Sequence, residues 1–137
     1  MTFTPFKMHV TLDVFILWPL LALALVFPTV FSVEVHEHSQ KLLSALVFGL
    51  GIMALFDIPM RHIHVARWIK AGKEPMTDNH YNYALVTSVI EALVMWHFGW
   101  QWSAVIWIGI AYSSAMLHAC HVAKFEVLRK TNGNPSK

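Results

Sequence analysis

An uncharged run of 20 residues, from Val14 to Val33, constrains the fold more than any other feature of this sequence. At about 1.5 Å per residue, a helix of this length crosses the hydrocarbon core of a bilayer. The run is too long for the apolar part of a secretory signal, and no A-x-A-like cleavage site follows it. We therefore expect a retained membrane anchor, in a helix that Pro19 and Pro28 kink.

Three further apolar stretches follow this first one. The predicted spans are residues 10–33, 42–60, 81–98 and 102–122. Hydrophobic residues make up 56% of the chain and charged residues 13%, whereas about a quarter of a soluble domain is charged. The turn around Gly99 is so short that the last two spans must form an antiparallel hairpin. The sequence thus predicts an all-α integral membrane protein, with four transmembrane helices in one antiparallel bundle.

This bundle forms one domain, residues 1–130, and a polar tail, residues 131–137, is expected to be disordered. The basic residues predict its orientation. Nine of the ten lysines and arginines lie before the first span, between the second and third spans, or after the fourth, and only Lys41 lies on the other side. Because basic residues are retained in the cytoplasm, both termini are expected there, in a bacterial inner membrane.

Composition also excludes several classes of function. The net charge is only +2 and no basic patch is interleaved with aromatic residues, so no nucleic-acid partner is expected. The single cysteine, Cys120, excludes an intrachain disulfide and every CxxC motif. No serine–histidine–acid arrangement favours a hydrolase and no glycine-rich loop favours an NTPase. No motif assigns the chain to a known family.

Three acidic residues lie within or near the predicted spans: Asp13, Asp57 and Glu91. A charged residue at the centre of a membrane helix costs at least about 2.5–3.5 kcal/mol on insertion scales, so it usually faces a partner or a cavity. Glu91 lies deepest, and its functional interpretation is a catalytic or transport residue that relays protons. Its structural interpretation is a protonated carboxyl group that is hydrogen-bonded to Tyr112, Ser113 or Ser114.

Histidines are the other conspicuous residue type, and there are nine of them. Six fall at the cytoplasmic ends of the predicted helices, together with Asp13 and Asp57: His9, His62, His64, His80, His118 and His121. His9 and Asp13 share a helical face. Asp57, Arg61 and His64 share another if the helix continues past Pro59.

Because bundle metal sites are built from inward-facing side chains of several helices, this layer predicts a site for a transition metal ion such as Fe, Cu or Zn. The expected ligands are His64, His80, His118 and His121 with Asp57 or Asp13. Haem b, held between His80 and His118, is the alternative cofactor. The structural alternative is a set of interfacial histidines, with Asp57 paired to Arg61.

Three functions follow from these features. The first is a small subunit of a larger membrane redox or metalloenzyme complex that holds the predicted metal or haem. The second is an oligomeric small transporter or channel, in which Glu91 is the protonatable site. The third is a purely structural accessory subunit, which fills a helical interface and depends on close packing at Gly49 or Gly51. The lipid bilayer, other membrane subunits or further copies of the chain are the expected partners.

Overall fold

A computed structural model of the chain describes residues 4–26 and 31–133, which form four helices and, over those residues, no strand. The first helix, α1, joins the α-helical segments Pro5–Leu12 and Trp18–Leu21 to the π-helical segments Asp13–Leu17 and Ala22–Val26. The others are α2, Val33–Lys70, α3, Asp78–His97, and α4, Gln101–Asn132. The all-α class and the count of four helices agree with the prediction from the sequence.

Among the described residues, three helices are long and apolar enough to cross a membrane: α1, α2 and α4. Helix α3 has 20 residues, a sufficient length, but no segment of it is apolar enough to count among these three. Thr87, Ser88 and Glu91 lie in its middle. Its outer face is nevertheless apolar, with Val86, Ile90 and Leu93 exposed.

Several predicted boundaries shift in the structure. Val33 begins α2 instead of ending the first span. The polar stretches 34–41 and 61–70, expected to flank the second span, belong to α2, which runs through Pro59 without ending. Residues 131 and 132 form the end of α4 and Gly133 caps it, while residues 134–137 of the predicted tail lie outside the described residues, as does Pro28.

Polar end groups explain why α2 is longer than its apolar part. The hydroxyl of Ser32 accepts a hydrogen bond from the backbone N–H of Val35 and so caps the helix. Glu34 lies in the first turn, and Arg67 and Lys70 lie in the last, where each charge complements the helix dipole. These residues stabilise helical turns beyond the apolar stretch, so a change from apolar to polar sequence does not mark the end of this helix.

Helix α4 occupies the middle of the bundle, where it packs against both α2 and α3. The last turns of α1 pack against α2. Leu43, Val47 and Met95 are completely buried in the core between these helices. By contrast, α1 reaches α3 mainly through long side chains, which leaves space between these two helices.

A π-helical turn in α1 aligns Asp13 with Trp18. Pro19 lacks a backbone N–H, so a regular α-helix would leave one carbonyl of the preceding turn unpaired. Next to it, the N–H of Trp18 bonds to the carbonyl of Asp13, five residues back. Because this spacing adds one residue to the turn, Trp18 lies over Asp13 instead of being rotated away from it. The π-helical turn next to Pro19 therefore places both side chains toward α3.

The two glycines of α2 have different surroundings, which gives a test of close packing. A Cβ atom on Gly51 would lie 2.6 Å from Cγ2 of Ile106 in α4, whereas one on Gly49 would meet nothing within 4 Å. We expect Gly51→Val to destabilise the bundle by about 1–3 kcal/mol through overpacking. The matched variant Gly49→Val should change stability by no more than about 0.5 kcal/mol. Unfolding by sodium dodecyl sulfate in mixed micelles measures both, and equal effects would contradict the assigned contact.

Candidate functional site

Glu91 lies at the centre of the bundle and is held by two indole groups. The side chain is only 4% exposed. Trp18 of α1 donates its indole N–H to Oε1 at 3.0 Å, and Trp107 of α4 donates to Oε2 at 3.0 Å. An indole nitrogen can donate but cannot accept, so both bonds direct positive hydrogen atoms at the carboxyl group. This arrangement stabilises negative charge on Glu91 in an otherwise apolar region.

The predicted hydrogen-bond partners of Glu91 were wrong. Ser113 is buried but donates to the backbone carbonyl of Ala54, at 3.4 Å, on the α2 side of the bundle. Tyr112 is exposed on the outside of α4. Ser114 lines the same cavity as Glu91 but makes no hydrogen bond to it. The reason is the position of each residue along the hairpin. Glu91 and Trp107 lie at the same distance from the turn that connects α3 and α4, whereas residues 112–114 lie farther from that turn.

A partly open cavity of about 400 Å³ separates α1, α3 and α4, and Glu91 forms part of its wall. This volume lies in the range of small-molecule sites. Most of the wall is apolar, including Leu17 and Ile110. The ionisable groups in the wall are His9, Asp13, Tyr81 and Glu91, and the described lining contains no lysine or arginine. The cavity therefore has an apolar body and an acidic side.

A chain of polar contacts lies at the end of the cavity near the N-terminus of α3. His9 Nδ1 lies 3.0 Å from Nε2 of His80, and His9 Nε2 lies 3.4 Å from Oδ2 of Asp13. The helical pairing of His9 with Asp13 that the sequence predicts is thus confirmed. Asp13 is 6% exposed, and its Oδ2 makes no well-aligned hydrogen bond to a described residue, with His9 and the hydroxyl of Tyr83 as its neighbours. The carboxylate therefore retains acceptor capacity.

Two more polar atoms near this chain are buried without a hydrogen-bond partner among the described residues: the hydroxyl oxygen of Tyr83 and Nδ1 of His118. Tyr83 packs edge-on against His9. His118 stacks on Tyr81, with ring centroids 4.3 Å apart. The hydroxyl of Tyr83 lies beside the Asp13 carboxyl group, so these two groups partly satisfy each other. Nδ1 of His118 is left without a partner among the described residues, and buried polar groups normally find one in a ligand or water.

The other predicted ligands lie apart from this region. Asp57 pairs with His64 at 3.4 Å, across two turns of α2, which confirms that the helix keeps these residues on one face past Pro59. The alternative pairing of Asp57 with Arg61 is absent from the described contacts, because the guanidinium donates to the carbonyl of Ile58. His62 instead contacts Sγ of Cys120 at 3.6 Å.

His121 does not converge with His118 either. Its Nε2 donates to the backbone carbonyl of Lys73 at 3.0 Å, and its ring packs against Trp68. Over the described residues, no three His, Cys, Asp or Glu side chains surround a point at which they could hold a metal ion. The six histidines thus divide among several local contacts, and the metal and haem sites stay predictions.

On the other side of the bundle, His36 contacts the end of α1. It lies in α2, and its Nδ1 contacts the backbone carbonyl of Leu23 at 3.1 Å. The amide of Gln40 donates to the next carbonyl, that of Ala24, at 3.3 Å. These side chains satisfy backbone groups at the π-helical end of α1, so their role is structural.

Sequence reasoning missed the two tryptophans that hold Glu91. A usable signal was present, because Glu91 precedes Gly99 by eight residues and Trp107 follows it by eight. In an antiparallel hairpin centred on Gly99, these two residues lie at equal depth. A tryptophan in the middle of a span also needs an acceptor for its N–H. Trp18 offered no comparable signal, since its direction depends on the π-helical turn.

The chain matches no protein-family model, and no curated protein and no solved structure is significantly similar to it. Function must therefore be argued from the site itself. The site combines a carboxyl group that is shielded from water, a second buried carboxylate and a pair of histidines in contact, all along one cavity. Groups of this kind bind and release protons, and they attract cations.

Proposed function

We propose that this protein is a small membrane transport protein that moves protons, with Glu91 as the residue that takes up and releases them. The observation that carries this proposal is the position of Glu91 in the wall of the cavity, 4% exposed and between two indole donors. Ionisable groups within membrane helices commonly mark proton or ion pathways. A carboxyl group that served packing alone would not need a cavity beside it.

The histidine pair extends this pathway toward one end of the bundle. His9 contacts both His80 and Asp13 through its two ring nitrogens. An imidazole that has a partner on each nitrogen can accept a proton on one side and donate it on the other. We therefore assign to His80, His9 and Asp13 the transfer of protons between the aqueous surface and the cavity.

The orientation in the membrane completes the proposal. Nine of the ten basic residues lie on the side of the bundle that bears the termini and the loop between α2 and α3, so we assign that side to the cytoplasm. The histidine pair then opens to the cytoplasm. Large exposed apolar side chains on the outer face of α2, such as Phe48, Leu55 and Phe56, would contact lipid or another copy of the chain.

Proton flux into liposomes tests this function. Purified protein is reconstituted into vesicles that contain a pH-sensitive dye, an external acid step is applied, and valinomycin with potassium compensates the charge. We expect the internal pH to fall faster than in protein-free vesicles, with a rate that rises with the amount of protein. A rate equal to that of protein-free vesicles, for protein shown to be inserted and helical, would refute the proposal.

A metal-binding subunit of a redox complex is the second candidate, favoured by one observation. Nδ1 of His118 is buried without a hydrogen-bond partner among the described residues. One such nitrogen falls short of the three or four ligands that protein metal sites use, and the side chains as placed do not supply the remainder. Elemental analysis of the purified protein separates the candidates, since stoichiometric Fe, Cu or Zn would favour the redox subunit.

A further inference from the structure

The carboxyl groups of Glu91 and Asp13, both in the cavity wall, differ in how many hydrogen bonds they already accept. Both oxygens of Glu91 already accept an indole hydrogen, at 3.0 Å each. Oδ2 of Asp13 is buried and makes no well-aligned hydrogen bond to a described group; its neighbours are Nε2 of His9, at 3.4 Å, and the hydroxyl of Tyr83. A buried acceptor without a well-aligned donor is unfavourable. The acceptor that a ligand would satisfy is therefore on Asp13 and not on Glu91.

His9 strengthens this inference. Its Nε2 faces Oδ2 of Asp13 at 3.4 Å, while its Nδ1 contacts His80. In the tautomer in which His9 donates from Nδ1 to His80, Nε2 and Oδ2 are two acceptors, and one group with two N–H bonds would satisfy both. In the other tautomer Nε2 donates to Oδ2, and the carboxylate still has further lone pairs for a ligand.

The remainder of the cavity specifies the body of the ligand. Its wall is largely apolar, and the aromatic rings of Tyr81 and Trp107 form part of it. The described lining supplies acidic side chains and no lysine or arginine, so a cation is favoured over an anion. Aromatic faces also attract an organic cation. The volume of about 400 Å³ admits a molecule of about the size of an aromatic amine.

From these observations we propose that the cavity binds a protonated organic amine, with its ammonium N–H on Asp13 and its apolar body between α1, α3 and α4. The inference rests on the proposed function, because it makes the same cavity a transport pathway for a solute. It assigns the two acids different tasks. Asp13 binds the amine, and Glu91 binds the proton.

Calorimetric titration of the protein in lipid nanodiscs tests this assignment, with empty nanodiscs as the blank. The probes are 2-phenylethylamine, its N,N,N-trimethyl analogue, which has the charge but no N–H, and 2-phenylethanol, which has no charge. We expect the amine to bind and both analogues to bind more weakly. Failure of the amine to bind, or equal binding of the trimethyl analogue, would overturn the proposal.

Substitutions locate the contact. Asp13→Asn should weaken amine binding by about tenfold or more, because it removes a charged hydrogen bond. Glu91→Gln should weaken amine binding less than Asp13→Asn does, because both Glu91 oxygens are already engaged. Affinity that falls with Glu91→Gln and persists with Asp13→Asn would reverse the assignment. Amine binding without proton flux would refute the proposed function alone, and proton flux without amine binding would refute this inference alone.

A steric variant keeps the test valid if Asp13→Asn fails to fold. Ala84 lines the cavity from α3, and Ala84→Leu should fill part of it and abolish amine binding. Val86 is exposed on the outside of the same helix, so the matched variant Val86→Leu should bind the amine normally. Normal binding by a folded Ala84→Leu protein would place the amine elsewhere and overturn the proposal.

Discussion

Replacing Trp107 by phenylalanine is expected to destabilise the folded bundle by about 1.5–3 kcal/mol. The indole of Trp107 is 7% exposed, and its N–H is the partner of Oε2 of Glu91. Phenylalanine keeps the aromatic character but removes the donor, which leaves one carboxyl oxygen without a hydrogen bond in an apolar region. Unfolding by sodium dodecyl sulfate in mixed micelles measures the loss.

A double-mutant cycle separates this bond from the loss of ring volume. In a Glu91→Met background there is no carboxylate to leave unpaired. The loss of stability caused by Trp107→Phe should therefore be smaller in that background than in the native protein, and the difference should be about 0.5–3 kcal/mol. Trp18→Phe is the matched variant. Trp18 donates to the same carboxyl group but is 41% exposed, so the loss of its larger ring should disturb the packing less and its total effect should be smaller. Equal losses from Trp107→Phe in both backgrounds would show that the indole–carboxyl bond contributes nothing.

The helices and the shared faces within them follow from sequence spacing. Apolar runs predict four helices, and the four-residue spacing of His9 and Asp13 predicts their contact at 3.4 Å. Both predictions rest on the regular geometry of a helix. The same geometry predicts that Asp57 and His64 share a face of α2, as they do.

Contacts between helices are harder to predict, because depth in the membrane fixes the height of a side chain but not the direction in which it points. Six histidines at similar heights predict a common layer, yet His121 turns to the carbonyl of Lys73 and His62 to Cys120. Each ring takes the nearest available partner. Rotation of each helix about its axis decides which histidines meet, and short apolar and polar patterns do not determine that rotation.

Of the two tryptophans that contact Glu91, one follows from the sequence and the other does not. Its contact with Trp107 follows from simple symmetry about Gly99. Its contact with Trp18 depends on the π-helical turn of α1, in which the N–H of Trp18 bonds to the carbonyl of Asp13. Regular α-helical spacing would point Trp18 away from the face that bears Asp13. A site whose geometry depends on such an irregular turn cannot be derived from periodicity.

The largest functional effect is expected from Glu91→Gln, which should reduce proton flux in reconstituted vesicles to the rate of protein-free vesicles. Glutamine is close to glutamate in size, but its amide cannot take up and release a proton. The substitution also gives the side chain one acceptor oxygen where the two indoles offer two N–H donors. One indole then faces an NH₂ group, so some loss of stability, about 1–3 kcal/mol, should accompany the loss of flux.

Two further variants distinguish loss of the proton site from loss of the fold. Asp57→Asn removes another helix acid, one that is paired with His64 and outside the cavity lining, and it should leave flux unchanged. Glu91→Asp keeps a titratable group but shortens the side chain, which lengthens both indole bonds. It should retain part of the flux with a stability close to that of Glu91→Gln. Normal flux in Glu91→Gln, or equal losses in Glu91→Asp and Glu91→Gln, would mean that the carboxyl group stabilises the bundle without carrying the proton.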